Sequence, residues 1–329
     1  MKVLVHILAS TSYLIVLFGI MNWFGHKETA YSLVKWFASE MPAMPFYQDV
    51  IMSDGNGTRL TSVFQYGNAY GAFLIAVLLM GLYLTTVSKK ICHHYLPWNN
   101  AGTIFVSFIL TLSRGALVVF PVVYLIVILL MKPGKQILML IYSALVTAVS
   151  LIVLTPITDI GVTQWSSFSH ELANRGWLYL ISASVALTLL IVFVQRFVKP
   201  ILEDNVTRLD QQRFARAYFP LGVALLGVIS IFLLFGNSGL LNIFPENIKQ
   251  RIENINFAQN SVLERGTFYK DSIKLSSDYP IIGAGGGAWS ALYEKYQNNP
   301  YVSRQAHNFF LQYLVEVGWL GLVIFIAFF

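Results

Sequence analysis

The chain has 329 residues, 56% of them hydrophobic and only 12% charged, with a mean hydropathy of +0.62 and a net charge of +6. That charge density is about half that of a water-soluble domain, so the composition excludes an ordinary soluble enzyme and describes a membrane protein. The single cysteine, Cys92, excludes an internal disulfide, and with no soluble basic region to grip nucleic acid, the positive balance suits cytoplasmic flanks and an anionic ligand.

Apolar runs recur along the chain at Val3–Ile20, Asn68–Val87, Ala101–Leu112, Ala116–Met131, Ile137–Thr155, Trp177–Val194, Tyr218–Phe235 and Phe309–Phe329. A spanning helix needs roughly 20 apolar residues. Uninterrupted runs select helices over the alternating pattern of a barrel. The expected fold is all-α, a polytopic transmembrane helical bundle of about eight spans. The first run follows Lys2 without a small-x-small cleavage site and reads as a retained span. Ser113-Arg114-Gly115 divides the third run, short for a span, from the fourth. With two spans there, residues 1–2, 88–98, 131–136 and 195–217 face the cytoplasm and hold ten of the 22 Lys and Arg.

This topology assigns residues 22–67, the 113–115 turn, residues 156–175 and a large loop, 236–306, to the outer side. The large loop carries aromatic and aliphatic residues throughout and predicts helices over 263–276 and 288–296. The glycines at 283 and 285–287 lack the strand and the Lys-Ser/Thr of a phosphate-binding loop, and read as a flexible turn packed near the membrane. The sequence stops within an apolar run at Phe329, so further spans are expected beyond it. Residues 1–98 read as N-terminal membrane helices with the first outer loop, and 99–329 as the catalytic membrane region.

Polar groups near the membrane boundary fall on the outer side of this topology: Arg59, Arg114, Arg265, Arg304 and His307. Several guanidinium groups suit a dianionic headgroup, while an imidazole can take a proton near neutral pH. On a continuous helix, His307, Leu311, Leu314 and Gly318 share one face, with Gly318 and Gly321 permitting close helix contact. Asn308, Gln312 and Glu316 form a second, polar stripe, and Glu316 needs an interhelical partner or a proton. No D-x-D, D-D or E-x-D cluster occurs in the outer segments, so no metal site is expected.

His307-Asn308, nine residues, Gly318, two residues and Gly321 resemble the H-N-x9-G-x-x-G signature of the bacterial O-antigen ligase and polymerase superfamily. The SRGA around Arg114 resembles the arginine motif opening the family's common region. SVLERGTFYKDSIKLSSDYPIIGAGGGAW around Arg265 resembles a segment in which an arginine starts a helix and a proline and glycines follow. GTRLTSVFQYGNAYGAF around Arg59 is similar to an upstream pattern, so the resemblance spans residues 55–329. It implies a membrane glycosyltransferase that moves a saccharide from undecaprenyl pyrophosphate to an acceptor hydroxyl of a glycan, lipid or protein outside the bacterial plasma membrane. It implies catalytic roles for His307, Arg265 and Arg114, and substrate binding by Arg59, Asn308 and Arg304, without metal or other cofactor. The alternative is a transporter or flippase of lipid-linked saccharide; its ionisable residues belong near the midplane, where only Glu316 is expected.

Overall fold

The computed structural model describes residues 2–30, 32, 59–88, 100–205, 214–235, 239–253 and 260–328. The expected cytoplasmic residues 89–98 with Cys92, residues 206–213, and residues 33–58 of the first outer segment lie outside the described residues. The described chain is 83% helical and contains no strand. It divides into two compact units, residues 1–254 and 255–329.

In the first unit, seven long helices follow the apolar runs. They are α1 (Lys2–Trp23), α2 (Gly67–Val87), α3 (Ala101–Leu110), α4 (Arg114–Leu129), α5 (Pro133–Ser166), α6 (His170–Phe193) and α7 (Ala215–Phe235), followed by the short α8 (Glu246–Glu253). The third and fourth runs are separate helices, because Leu112 takes a left-handed φ of 48° between them. Ser113 then caps α4, its Oγ accepting from the Ala116 N–H at 3.2 Å. Residues 156–175, expected on the outer side, are mostly helix, since α5 runs through Pro156 to Ser166. Packing explains the extension. Trp23 occupies the notch left by Gly161 and donates its indole N–H to the Ile157 carbonyl at 3.0 Å, while Phe24 fills the notch at Gly176. Gln164 joins the same corner, donating to the carbonyls of Phe24 and Ser169.

At its far end, α6 widens into a π-turn over Val194–Val198 and continues as Lys199–Asn205. The widened turn brings buried Gln195 and Lys199 onto the last carbonyls of α2. Gln195 donates to Thr85, and Lys199 to Thr86 and Ser88. Leu178, Ile181, Val185 and Leu189 on α6, with Leu221, Leu225, Val228 and Phe232 on α7, stay exposed, as helix faces turned to lipid do.

The second unit contains α9 (Asn260–Asp278), α10 (Ala288–Tyr296) and α11 (Phe309–Phe328). Both helices expected in the large loop are present. Their core joins Phe268 and Leu275 of α9, Trp289, Tyr293 and Tyr296 of α10, Ala306, and Val315 of α11.

Among the described residues, four helices are long and apolar enough to cross a membrane: Gly67–Val87, Pro133–Ser166, His170–Glu203 and Phe309–Phe328. The remaining apolar helices, Ser10–Trp23, Ala101–Leu110, Arg114–Leu129 and Ala215–Ser230, are shorter, and α3 at ten residues rises only about 15 Å against a hydrocarbon core of about 30 Å. The described residues thus form an all-helical membrane protein with four candidate full-length spans.

Helix α11 is not the straight span that its composition predicts. Gly318 breaks it with φ 66° and ψ −173°. A straight helix would separate residues 309 and 325 by about 24 Å along its axis, yet the Phe309 and Phe325 rings lie 5.4 Å apart and those of Tyr313 and Phe325 5.3 Å apart. The chain therefore folds back at Gly318 into two arms, 309–317 and 319–328.

Candidate functional site

Two groups of expected site residues can be built from the coordinates, one in each unit. In the first unit, the turn between α3 and α4 is gripped by arginines. Arg59 donates from Nε to the Thr111 carbonyl at 2.9 Å and from a terminal nitrogen to Asn68 Oδ1 at 3.3 Å. Asn68 Oδ1 also accepts from the Ser113 hydroxyl at 2.7 Å. Gly67 makes room for this arrangement: a Cβ there would sit 2.5 Å from the Arg59 guanidinium and 2.9 Å from the Thr111 carbonyl. Arg59, expected to bind substrate, thus braces the C-terminal end of α3, where the helix dipole favours a cation. Arg251 of α8 does the same from another direction, donating to the Leu112 carbonyl at 3.0 Å. Sequence reading missed Arg251, because its segment, ENIKQRIE, reads as a solvated amphipathic helix. Arg114, half-buried, stands at the first turn of α4 beside this bracing. A largely apolar groove of about 310 Å³ elsewhere in the unit, lined by Leu14, Leu17, Leu180 and Val185, includes none of the expected site residues.

In the second unit His307 is the centre. It does not lie on a helix, as the shared face with Leu311 and Leu314 required. It precedes α11 with a left-handed φ of 52°, and Asn308 is the helix cap, its Oδ1 accepting from the Leu311 N–H at 3.2 Å. The imidazole stacks on Phe268, with ring centroids 5.7 Å apart and planes at 27°. The His307 carbonyl accepts from the Tyr269 hydroxyl at 3.4 Å. One side of the ring is thus covered while the residue stays open to solvent. That partial burial, and then the positive charge of Arg265 on α9, lower the His307 pKa below the ordinary imidazole value. The lowered pKa favours the neutral ring, the form that accepts a proton. Arg304 is exposed three residues earlier in the chain.

Behind Phe268 lies a supporting network that sequence reading also missed. Tyr301 packs on Phe268 at 4.6 Å and donates its hydroxyl to Asp271 Oδ2 at 2.8 Å. Asp271 is fully buried and takes a second hydrogen bond, 2.7 Å, from Asn298 Nδ2. Burial and this carboxylate raise the Tyr301 pKa. Tyr296 donates to Asp278 at 2.6 Å and is pushed up to about 12 by that bond.

The glycine turn has a defined task. Ala284 and Gly285 donate their N–H groups to the carbonyls of Val315 and Glu316 at 2.8 and 3.0 Å, and Trp319 and Leu320 donate theirs to Pro280 and Ile281 at 2.8 and 3.0 Å. The segment expected as a flexible turn therefore fills the break in α11 and satisfies the backbone groups freed there. Gly318 and Gly283 face each other across this clasp. A Cβ on Gly318 would meet the Ile281 carbonyl oxygen at 2.3 Å, and one on Gly283 would meet the Glu316 carbonyl carbon at 2.4 Å. The expected role of Gly318 in helix contact is replaced by a left-handed break. Glu316 finds its partners as expected, accepting from Gln312 Nε2 at 2.8 Å and from the Gly287 N–H at 3.3 Å.

Among the described residues, no group of three or more His, Cys, Asp or Glu side chains is placed to hold a metal ion. Chemically, the second unit offers a solvent-open imidazole under the positive charge of Arg265.

Comparison with known proteins agrees with the motif reading. The family model described as O-Antigen ligase matches residues 172–326. The matched residues include Arg265, Arg304, His307, Asn308, Gly318 and Gly321, whereas Arg59 and Arg114 precede them. No curated protein and no solved structure matches the chain. Residues 172–326, just under half of the chain, are thus similar to the O-antigen ligase family.

Proposed function

We propose that this protein is a membrane glycosyltransferase of the O-antigen ligase or polymerase type. It moves a saccharide from undecaprenyl pyrophosphate to an acceptor hydroxyl on the outer side of the bacterial plasma membrane. The observation that carries this reading is the placement, inside the family-matched residues, of a solvent-open His307 stacked on Phe268 and under the positive charge of Arg265. In the reaction the acceptor oxygen attacks the anomeric carbon, and its proton passes to the free ring nitrogen of His307. The bond from that carbon to the diphosphate oxygen breaks, and the electron pair leaves with the diphosphate. Arg265 meets the charge growing on that leaving group. A single displacement of this kind inverts the anomeric centre.

Arg114 is assigned to the diphosphate from its motif and charge, and Arg304 and Asn308 to saccharide or acceptor from their neighbourhood to His307. Arg59 supports the turn that precedes Arg114. With guanidinium groups taking the charge, the transfer is metal-independent. The acceptor is a second lipid-linked repeat for a polymerase, or a lipid, wall glycan or protein for a ligase. The excess of Lys and Arg in residues 88–98, 131–136 and 195–217 supports a cytoplasmic N-terminus and an extracytoplasmic site.

A broken helix is also a feature of transporters, in which half-helix ends face the cargo. Here the polar groups freed at Gly318 are taken up by residues 280–285, which favours chemistry over transport. The test is transfer of the lipid-linked glycan in membrane vesicles. His307→Ala should abolish transfer, EDTA should leave it intact, and normal polymer output from His307→Ala would overturn the assignment. Deleting the protein should leave single repeats on a gel if it is a polymerase, and long chains stranded on the carrier if it is a ligase.

A further inference from the structure

His307 has a backbone conformation that costs a residue with a Cβ about 1–2 kcal/mol, so its neighbours must hold it there. The residue before it is tied down by one side chain. Ala306 donates its N–H to Gln312 Oε1 at 2.8 Å. The amide of Gln312 is oriented in turn by Glu316, whose Oε1 accepts from Gln312 Nε2 at 2.8 Å. Turned over, the amide would aim its NH₂ at the Ala306 N–H and its oxygen at a carboxylate, both unfavourable. Glu316 is anchored by the Gly287 N–H at 3.3 Å, at the N-terminal end of α10, where a negative charge is favoured. A chain of three hydrogen bonds thus runs from α10 through α11 to the amide of Ala306, the residue before His307.

We propose that Gln312 and Glu316 are positioning residues for the His307 base, acting through the Ala306 peptide. The proposal rests on the assignment of His307 as the base. Neither side chain needs to touch the saccharide or the diphosphate. Their effect is to keep the imidazole on Phe268 and aimed at the acceptor, and a displacement of about 1 Å at such a site can slow a reaction about 100-fold. Glu316 serves as an acceptor of two hydrogen bonds, so the network tolerates exchange of its two members. A carboxylate introduced at 312 can accept from Ala306, and an amide introduced at 316 can donate to that carboxylate while its oxygen accepts from Gly287.

The experiment uses the full chain in membrane vesicles for transfer, and in detergent for binding of undecaprenyl pyrophosphate alone. Q312M, similar in length and lacking both hydrogen bonds, should lower the transfer rate about 10- to 100-fold and leave the affinity for undecaprenyl pyrophosphate unchanged. Q312E, which sets two carboxylates against each other, should be similarly slow. E316Q should transfer close to normally, and the exchanged double variant Q312E/E316Q should recover most of the rate lost in Q312E. Normal transfer by Q312M, or a double variant no faster than Q312E, overturns the proposal. If Q312M fails to fold, the comparison of Q312E with Q312E/E316Q decides alone. H307A is run in parallel: transfer by H307A refutes the base itself, whereas an inactive H307A beside an unaffected Q312M refutes only the positioning role.

Discussion

Replacing Gly318 by alanine should open the clasp between the two arms of α11. The backbone angles at this position are reached almost only by glycine, and forcing another residue into them costs about 1–3 kcal/mol. The added Cβ would also lie 2.3 Å from the Ile281 carbonyl oxygen and 2.5 Å from the Gly283 nitrogen, backbone atoms that cannot swing aside as a side chain does. Clearing that overlap displaces residues 280–285 and threatens the four hydrogen bonds from Ala284, Gly285, Trp319 and Leu320. At about 1 kcal/mol net for each bond, full separation costs about 5–7 kcal/mol with the backbone term of about 1–3 kcal/mol included. Gly283→Ala breaks the same clasp from the other side, with a left-handed φ of 72° and a Cβ 2.4 Å from the Glu316 carbonyl carbon. Because the two changes destroy one set of contacts, the double variant should lose little more than either single one. Thermal unfolding of the full chain in detergent measures all three. Two losses that add in the double variant, or a G318A protein as stable as the parent, would refute the clasp.

Three further outcomes are expected. The transfer rate should rise with pH as His307 loses its proton and level off above its pKa, and because that pKa is lowered, the rise should finish below the range of a free imidazole. Arg265→Gln removes one of the two causes of the lowering, so besides slowing transfer it should move the acidic limb of the pH–rate profile upward; an unmoved limb would separate Arg265 from His307. Tyr301→Phe keeps the ring against Phe268 but takes one donor from buried Asp271, for a loss of about 1–3 kcal/mol in thermal unfolding. Asp271→Ala strands two donors and should cost more, so the reverse order would count against a supporting role for the carboxylate. Arg59→Met removes the hydrogen bonds to Thr111 and Asn68 and should destabilise the protein by about 1–3 kcal/mol, while its affinity for undecaprenyl pyrophosphate stays unchanged; weaker binding without a stability loss would return Arg59 to the substrate.

The helices were legible because lipid-facing segments must be apolar and helical, and the break at Ser113-Arg114-Gly115 was legible because polar turn residues interrupt an apolar run. The stripe of Asn308, Gln312 and Glu316 followed from i,i+4 spacing; Gln312 and Glu316 are linked as that spacing allows, while Asn308 turns to cap the Leu311 N–H. What escaped depends on partners distant in sequence. The stretch 156–166 carries Pro156 and several polar residues, and only the insertion of Trp23 against Gly161 shows why it stays helical. Gly318 read as a contact glycine because composition carries no φ angle, and the loop that fills its break is about 35 residues away. Arg251 and Asp271 carry no sequence signal of their roles, because the carbonyl and hydroxyl groups they engage come from elements that sequence spacing cannot bring together.

The bend gives the H-N-x9-G-x-x-G spacing a physical meaning. Asn308 caps a helical arm, the nine residues 309–317 are the whole arm, and Gly318 ends it at the clasp with residues 280–285. Gly321 lies in the first turn of the returning arm, where a Cβ would collide with Val317 at 2.4 Å. The arm works as a spacer about 14 Å long, fixed below by backbone hydrogen bonds to the glycine turn and above by the cap and the Gln312 link. His307 stands immediately outside the cap, so its backbone is held by an element that is itself pinned at both ends. Its ring is set separately, by Phe268 on α9, which Tyr301 and Asp271 hold from behind. Two independent constraints on one imidazole, one through the main chain and one through the ring face, are what a base needs if it is to meet a hydroxyl in a single orientation.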